Sequence, residues 1–255
     1  MVLELFRLDG RVALVTGAAR GMGHALAVGL AEAGADIAAL DRLDVAVTCR
    51  AVERLGRRCH PLLLDLDGLG PHAAAAVVDA VETAFGRCDI LINNAGIIRR
   101  APAAAHGAAE WEDVLAVNLS AAFALSQAFA NRCFDTGQGG KIVNLCSMLS
   151  FQGGLFVPGY VASKSALAGL TRALATEWAG RGINVNALAP GYVETDLTAP
   201  LRAAPERAEA IAARIPAGRW ATPDDVKGAA VFLASDAAAY VHGIVLPVDG
   251  GWLAS

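Results

Sequence analysis

Short apolar runs rich in β-branched residues alternate with longer, Ala-rich segments along the whole chain. Continuous apolar strands separated by helical segments are typical of a parallel sheet that is covered on both faces. Such strands are connected by right-handed crossovers. The pattern therefore predicts an α/β fold with one doubly wound sheet of about seven parallel strands and helices on both faces. The predicted strands are 11–16, 36–41, 61–64, 89–93, 141–146, 183–188 and 244–248, and the predicted helices are 22–34, 44–56, 72–86, 109–134, 160–180 and 224–235.

The composition indicates one large globular domain. Of 255 residues, 55% are hydrophobic and 18% are charged, which is enough apolar material for a large core. Single α/β domains often reach this length, and we see no linker or internal repeat, so we predict one domain over residues 1–255. Residues 191–222 form the longest stretch without a regular pattern. Because long irregular loops in compact domains are often functional, we predict a substrate lid there.

Charge, hydropathy and cysteine use argue against several classes of protein. The 21 Lys and Arg residues against 25 Asp and Glu residues give a net charge of −4, whereas a nucleic-acid partner favours a basic stripe. No uninterrupted apolar run approaches the roughly 18 residues of a membrane span, and the first residues lack a secretory pattern. The five scattered cysteines include no C-x-x-C pair, so neither a disulfide framework nor a zinc site is predicted. We expect a soluble, cytoplasmic protein without a protein-ligated metal.

The first predicted strand runs directly into T-G-A-A-R-G-M-G, residues 16–23. Gly17, Gly21 and Gly23 permit a tight turn, close approach of the backbone to a ligand and close packing of the next helix. The start of that helix presents free N–H groups and the positive end of its dipole to a phosphate. Although three glycines can also mark an ordinary turn, this position favours a dinucleotide-binding site.

The end of the second predicted strand bears on the choice of coenzyme. Asp41 stands there, and a carboxylate at this place accepts hydrogen bonds from ribose hydroxyls and repels a 2′-phosphate. This favours NAD over NADP. Arg20 and Arg42 favour the opposite choice, since either could meet that phosphate, and Asp41 could also be an ordinary turn residue. Asp65 ends the third strand and is a candidate contact to the adenine ring or a helix cap.

The fourth predicted strand runs into Asn93-Asn94-Ala95-Gly96. Small residues at this point let the chain pass close to a bound coenzyme. The Asn amides can in addition hold neighbouring strand ends together. We predict coenzyme contacts at Asn94, Ala95 and Gly96.

Tyr160 and Lys164 lie four residues apart at the start of a predicted helix. Residues at this spacing are neighbours on one helix face. The pKa of free tyrosine is about 10, and an ammonium group beside it favours the phenolate. The two side chains are therefore candidates for a general acid/base pair, although a lone Tyr-x-x-x-Lys also arises by chance.

Taken in order, the motifs of the chain resemble those of the short-chain dehydrogenase/reductase superfamily, whose members have a Rossmann-type fold. The resemblance covers essentially the whole chain. Each motif is weak alone, but the order and the thirteen-residue spacing of the serine and the tyrosine are specific. The motifs are T-G-x-x-x-G-x-G at 16–23, N-N-A-G at 93–96, Asn118, Ser147, Tyr160-x-x-x-Lys164 and Pro190-Gly191.

The resemblance implies a catalytic role for four residues. Tyr160 would exchange a proton with the substrate, Lys164 would lower the pKa of Tyr160 and hold the nicotinamide ribose, and Ser147 would bond the substrate oxygen. Asn118 would anchor a water that relays protons to Lys164, although it could instead satisfy a buried backbone group. Ser150 is a rival for Ser147, which the family spacing favours. The remaining coenzyme contacts that the resemblance implies are Arg20, Met22, Pro190, Gly191, Val193 and Thr195.

A finer resemblance concerns the substrate. NNAGIIRR (93–100), SMLSFQGG (147–154), RIPAGRW (214–220) and VDGGWLAS (248–255) are similar to the 2-deoxy-D-gluconate 3-dehydrogenase group, also described as 2-dehydro-3-deoxy-D-gluconate 5-dehydrogenases. A sugar acid needs a cation, and a guanidinium can bind a carboxylate with two parallel bonds. Arg99 and Arg100 are candidates, although they could instead face Glu110 or Asp113.

Gln152 is a candidate partner for sugar hydroxyls, and Arg219, inside the predicted lid, is a third candidate cation. The sequence does not decide which arginine binds the carboxylate. Alternative functions are a gluconate 5-dehydrogenase, a 3-oxoacyl-carrier-protein reductase and a nucleotide-binding scaffold without catalysis. The resemblance also implies a homotetramer in which the apolar faces of 109–134 and 160–180 pack across two-fold axes.

Overall fold

Seven strands run through the centre of the molecule in the computed structural model, which describes residues 1–255. They form one sheet, and every pairing between neighbours is parallel. The strands are β1 (Val12–Thr16), β2 (Asp36–Asp41), β3 (Cys59–Leu63), β4 (Ile90–Asn93), β5 (Gly140–Leu145), β6 (Ile183–Pro190) and β7 (Val245–Val248). Their order in space, β3-β2-β1-β4-β5-β6-β7, confirms the predicted doubly wound, Rossmann-type sheet.

Helices cover both faces of this sheet, as the unbroken burial of strands such as β1 requires. Ala13 and Val15 of β1 belong to one apolar cluster and Val12 and Leu14 to another, because successive side chains of a strand point to opposite faces. The α-helices are α1 (Gly21–Glu32), α2 (Ala46–Arg54), α3 (Pro71–Phe85), α4 (Ala108–Leu115), α5 (Ala121–Thr136), α6 (Pro158–Trp178), α7 (Ala199–Arg202), α8 (Pro205–Arg214) and α9 (Lys227–Ala234). The first cluster joins α1, α2 and α9 to the sheet, and the second joins α3, α5 and α6.

Parallel pairing brings the carboxyl ends of the strands to one edge of the sheet. Thr16 of β1 is in register with Leu40 of β2, and Asn93 of β4 is in register with Asn144 of β5. Ligands of open α/β sheets bind beyond this edge. Every motif singled out in the sequence lies on the segments that leave it.

The helix predicted over 109–134 is interrupted. A π-helical turn, Ala116–Ser120, joins α4 to α5, and such turns often mark functional sites. The combined helix, Ala108–Thr136, is long and apolar enough to cross a membrane by length and composition, but half of its apolar window is buried inside the chain. It packs against α3 and α6, as a core helix does.

Residues 191–222 contain more regular structure than the sequence pattern predicted. Both α7 and α8 lie there, and α8 starts at Pro205, whose fixed φ suits the first position of a helix. Ile211 of α8 is buried in a small apolar cluster with Met148 and Trp252. The segment is therefore anchored to the domain by apolar contacts rather than left as an irregular loop.

The cysteines require a second correction. Cys49 of α2 and Cys59 of β3 are joined in a disulfide, with their Cα atoms 5.1 Å apart, whereas the sequence spacing predicted no disulfide. The two residues become neighbours only when α2 packs on the sheet, so their spacing carried no signal. The other three, Cys88, Cys133 and Cys146, are free and buried.

Candidate active site

The turn after β1 is held against the end of β4 by hydrogen bonds. The hydroxyl of Thr16 accepts bonds from the backbone N–H groups of Asn94 and Ala95, each 3.0 Å long. The amide of Asn94 donates in return to the carbonyl oxygens of Thr16 at 2.8 Å and Gly17 at 3.2 Å. The Asn94 side chain thus joins two strand ends, as predicted for an amide at this place.

Two of the three glycines of this turn leave no room for a side chain. A Cβ on Gly23 would overlap the carbonyl oxygen of Gly17, and a Cβ on Gly17 would lie 2.9 Å from the Asn94 amide nitrogen. Gly17 and Gly21 have φ angles of +66° and +56°, in the left-handed region that favours glycine. The N-terminus of α1 follows at once. This bare cradle of backbone beside a helix N-terminus fits the pyrophosphate of a dinucleotide.

Asp41, at the end of β2, has its carboxylate fixed from two sides. One oxygen accepts a bond from the backbone N–H of Ala19 and the other from that of Leu43, both at 2.9 Å. The two arginines that could meet a 2′-phosphate face other acids: Arg20 pairs with Asp196 at 2.8 Å, and Arg42 approaches Asp65 at 3.7 Å.

A cavity of about 280 Å³ extends along these segments, and we call it the coenzyme cavity. Most of the predicted coenzyme contacts line it, whereas Pro190, Gly191 and Val193 line a neighbouring cavity. The predicted contacts that line the coenzyme cavity are Gly17, Arg20, Gly21, Met22, Gly23, Asp41, Asp65, Asn94, Ala95, Gly96, Tyr160, Lys164 and Thr195.

The four candidate catalytic residues come from three segments. Ser147 follows β5, Tyr160 and Lys164 lie near the start of α6, and Asn118 is in the π-helical turn. The Lys164 ammonium lies 5.8 Å from the centre of the Tyr160 ring. A Cβ on Gly96 would stand 3.3 Å from the Asn118 side-chain oxygen and 3.5 Å from the Lys164 ammonium. The structure therefore brings all four residues to one edge of the sheet.

Asn118 is buried and joins the loop after β4 to α6. Its side-chain oxygen accepts a bond from the backbone N–H of Ile97 at 2.8 Å, and its amide donates to the Ile97 carbonyl at 3.0 Å and to the Ser163 hydroxyl at 3.1 Å. Side-chain bonds of this kind satisfy the backbone, which is the structural role that the sequence left open for Asn118.

Ser150, the rival of Ser147, is engaged elsewhere. Its hydroxyl donates to the carbonyl of Lys164 at 2.8 Å and accepts a bond from the backbone N–H of Ser147 at 3.3 Å. It therefore braces the segment after β5 against α6. Ser147, by contrast, lines the neighbouring cavity together with Tyr160.

Burial shifts the pKa values of the candidate catalytic pair in opposite directions. It raises the pKa of Tyr160 to about 12 and lowers the pKa of Lys164 to about 8, because a charged group is disfavoured where water is excluded. The Ser147 hydroxyl and the Arg100 charge act against burial and lower the pKa of Tyr160. The Lys164 ammonium donates to the Leu145 carbonyl at 2.5 Å, so in this structure its hydrogen bond goes to the sheet rather than to the phenol.

The neighbouring cavity measures about 440 Å³ and opens onto Ser147 and Tyr160. Three arginines line it, Arg100, Arg207 and Arg214, and no Asp or Glu does. We call it the arginine cavity. A concave site with several cations and no carboxylate favours an anionic ligand.

The candidate substrate residues are divided between the two cavities. Arg100 and Gln152 line the arginine cavity, and Arg100 donates to the Leu197 carbonyl at 3.0 Å. Arg99 lines the coenzyme cavity instead and pairs with Asp113 at 3.2 Å, the alternative that the sequence left open. Arg219 pairs with Asp225 at 2.7 Å on the surface and lines neither cavity.

Sequence reasoning missed four residues that line the arginine cavity: Tyr192, Arg207, Arg214 and Trp252. The Arg214 guanidinium lies 3.9 Å from the centre of the Trp252 ring, and Tyr192 packs edge-on against that ring. One signal was present, since P-E-R-A-E-A-I-A-A-R (205–214) is a good helical pattern. It would have placed both arginines on one face.

The chain belongs to the short-chain dehydrogenase/reductase family. The family model that matches it is described as "Enoyl-(Acyl carrier protein) reductase" and covers residues 17–253. The geometry agrees with this assignment, because the glycine cradle, the Tyr160–Lys164 pair and Ser147 lie around two adjoining cavities.

The chain is similar over almost its whole length to three proteins that are named for different activities. It is 50% identical to the 2-dehydro-3-deoxy-D-gluconate 5-dehydrogenase of Dickeya dadantii (strain 3937), over 100% of both chains. It is 43% identical to the D-threitol dehydrogenase of Mycolicibacterium smegmatis, over 97% of this chain and 94% of that one. A crystal structure of a gluconate 5-dehydrogenase from Burkholderia cenocepacia J2315 in complex with NADP and tartrate has a TM-score of 0.94 at 41% identity, over 100% of both chains.

Proposed function

We propose that this protein is an NAD-dependent dehydrogenase that interconverts a secondary alcohol and a ketone on a sugar acid. The proposed substrate is of the 2-dehydro-3-deoxy-gluconate or 2-deoxy-gluconate type. The observation that carries the proposal is the arginine cavity, whose three arginines face no carboxylate and which opens onto Ser147 and Tyr160. The relative from Dickeya dadantii, named for this kind of substrate, supports it.

The residues around the reacting carbon divide the chemistry. Bound coenzyme supplies the acceptor or donor of hydride. Tyr160 takes the hydroxyl proton during oxidation and returns it during reduction, and Ser147 donates a hydrogen bond to the substrate oxygen. Lys164, 5.8 Å from the Tyr160 ring, holds the ribose and favours the phenolate. Asn118 keeps the π-helical turn and the loop after β4 in position, and by family resemblance anchors a water on the path to Lys164.

The glycine cradle, Asn94 and Asp41 would hold the coenzyme. Asp41 supports NAD, because its fixed carboxylate would repel a 2′-phosphate and because Arg20 and Arg42 face acids. The gluconate 5-dehydrogenase structure contains NADP, so the preference needs a direct test. We expect kcat/KM to be higher with NAD⁺ than with NADP⁺, and Asp41→Asn to reduce that ratio roughly 10-fold. An unchanged ratio would make Asp41 a turn residue only.

A panel of substrates tests the reaction itself. Initial rates of nicotinamide reduction are measured with gluconate, 2-deoxy-gluconate, 2-dehydro-3-deoxy-gluconate and D-threitol, and rates of nicotinamide oxidation with an acetoacetyl thioester. The highest kcat/KM is expected with a deoxy sugar acid. A preference for gluconate would select the gluconate 5-dehydrogenase alternative, and a preference for the thioester would select the carrier-protein reductase alternative. No turnover of any compound with either coenzyme would favour the non-catalytic scaffold.

We further propose that the protein is a cytoplasmic homotetramer. Trp111 of α4 is 38% exposed and Phe123 of α5 is 41% exposed, which leaves large apolar side chains on the helices that the family resemblance assigns to subunit contacts. Tyr240, before β7, is 99% exposed. Light scattering after size exclusion should give four times the chain mass, and a monomer would contradict this part of the proposal.

A further inference from the structure

One face of α8 forms a wall of the arginine cavity. Arg207, Ala210, Ile211 and Arg214 all line the cavity, and their spacing of three, four and seven residues defines a single helix face. Ile211 is buried and fixes the helix on the domain. The two arginines therefore lie on the cavity side of α8, one turn to either side of this anchor.

The three arginines of the cavity differ in what already holds them. Arg214 is stacked on the Trp252 ring, with its guanidinium 3.9 Å from the ring centre. Arg100 donates to the Leu197 carbonyl at 3.0 Å, and its charge lowers the pKa of Tyr160. Arg207 takes part in none of the ion pairs and side-chain hydrogen bonds of the structure.

The chemistry of the substrate separates its carboxylate from its reacting carbon. In a 2-dehydro-3-deoxy-gluconate 5-dehydrogenase the oxidised carbon is carbon 5 and the carboxylate is carbon 1. Four carbon–carbon bonds of a partly extended chain span about 5 Å. The cation that binds the carboxylate must therefore lie several ångströms beyond the oxygen that meets Tyr160. An unpaired guanidinium can meet a carboxylate with two parallel bonds.

We infer that Arg207 binds the carboxylate of the substrate and is the residue that makes this enzyme prefer sugar acids to neutral polyols. This inference rests on the proposed function. It also gives α8 a role, because a bond from Arg207 to the substrate ties that helix to the far end of the bound molecule. Arg100 and Arg214 supply positive potential, and Arg207 supplies the directed contact.

The test compares a charged and a neutral substrate in matched variants. Arg207→Met removes the charge and keeps most of the length, Arg207→Lys restores a charge without the two-pronged geometry, and Arg50→Met removes an exposed arginine of α2 that has no ion pair. Arg207→Met should raise KM for the sugar acid roughly 10- to 100-fold with little change in kcat. Its kcat/KM for D-threitol should stay within about twofold. The KM of Arg207→Lys for the sugar acid should lie between that of Arg207→Met and that of the unaltered enzyme. Arg50→Met should change the kinetic constants for neither substrate.

A binding measurement separates the failure of this inference from the failure of the proposed function. Calorimetry with tartrate as the anionic probe, in the presence of coenzyme, should show weaker binding to Arg207→Met than to Arg50→Met. If Arg207→Met lowered kcat/KM equally for the sugar acid and for D-threitol, Arg207 would have a structural role and the inference would be overturned. An unchanged affinity of Arg207→Met for tartrate would also overturn it. An unaltered enzyme that oxidises only neutral polyols would overturn the proposed function.

Discussion

The coenzyme cavity and the arginine cavity share five lining residues, Met22, Cys146, Tyr160, Thr195 and Leu197, yet the chain builds their walls in different ways. In the coenzyme cavity, Asn94 and Asp41 are fixed by hydrogen bonds to backbone groups of neighbouring strands and turns. Part of the wall of the arginine cavity comes from α8 and from Trp252, near the end of the chain. Apolar contacts hold these segments to the domain.

This difference separates what is common to the family from what is particular to one enzyme. Directed bonds between strand ends specify the position of a coenzyme that every member uses. A helix held by apolar contacts tolerates exchange of its outward side chains, because such contacts are not directional. Fold therefore accounts for the coenzyme cavity, whereas our inference assigns substrate choice to the residues that α8 presents.

The largest expected effect falls on Tyr160, one of the residues that line both cavities. Tyr160→Phe should lower kcat roughly 1,000-fold, because general acid/base catalysis contributes on that order, and should leave the dissociation constants of coenzyme and tartrate within about twofold. Stopped-flow rates and calorimetry would check this. If kcat stayed within tenfold of the unaltered enzyme, Tyr160 would not be the proton-transfer group.

A smaller effect is expected in the turn that holds the coenzyme. Gly23→Ala places a Cβ against the Gly17 carbonyl, so the turn must open and KM for the coenzyme should rise roughly 10- to 100-fold. Gly153→Ala, in the wall of the arginine cavity, meets nothing within 4 Å and should change KM for the coenzyme less than twofold. Thermal melts of both variants establish that they are folded. If both substitutions left KM for the coenzyme within twofold, the turn that holds the coenzyme would not be more tightly packed than the wall of the arginine cavity, and the prediction would be wrong.

The smallest effect concerns stability rather than activity. The pKa of Lys164 is lowered by burial to about 8 from 10.5. The ammonium group is charged at pH 7, but it releases its proton more readily in the folded protein than in the unfolded chain. The unfolded chain binds more protons between pH 8 and 10.5, so stability rises with pH in that window. Lys164→Met should raise the Tm of the coenzyme-free protein by a few degrees at pH 7, and this gain should vanish towards pH 10.5.

Lys227→Met is the matched control for this pH dependence. Burial acts to lower the pKa of Lys227, but Asp224 and Glu32 raise it overall. Its charge is therefore favoured in the folded state, and its removal should lower the Tm at pH 7. A Tm of Lys164→Met that fell at pH 7 and did not depend on pH would show that the bond to the Leu145 carbonyl outweighs the cost of burying the charge.

The sequence could predict the sheet because each strand carries its own signal. The ends of β2 agree with the prediction at both residues, and those of β1 and β4 differ by one residue at the start. Asn94 and the three glycines were predictable for the same reason, since one short segment defines the turn. The π-helical turn was not, because a shift of one residue in the apolar pattern is hard to detect in a segment as rich in alanine as this one.

The arginine cavity could be predicted only in part. Arg100 and Gln152 follow strand ends and were identified, and Arg99 was expected beside them but pairs with Asp113 at the coenzyme cavity. Consecutive residues of an extended segment point in opposite directions, so neighbours in sequence reach different cavities. Arg207 and Trp252 are brought together by packing of distant segments, for which no local pattern exists.

The π-helical turn at Ala116–Ser120 also affects how the gene can change. A turn of this kind holds one residue more than an α-helical turn, and each residue of a helix advances by about 100°. Because the turn absorbs its extra residue, losing one codon here would restore a regular helix and leave the later side chains of α5 facing almost as before. Losing one codon inside α5, which holds no extra residue, would instead turn the side chains on one side of the loss by that angle relative to those on the other. Phe129 and Leu125, both buried, would keep their places in the core in the first case, so this irregular turn is expected to tolerate the loss of a residue better than the regular helix beside it.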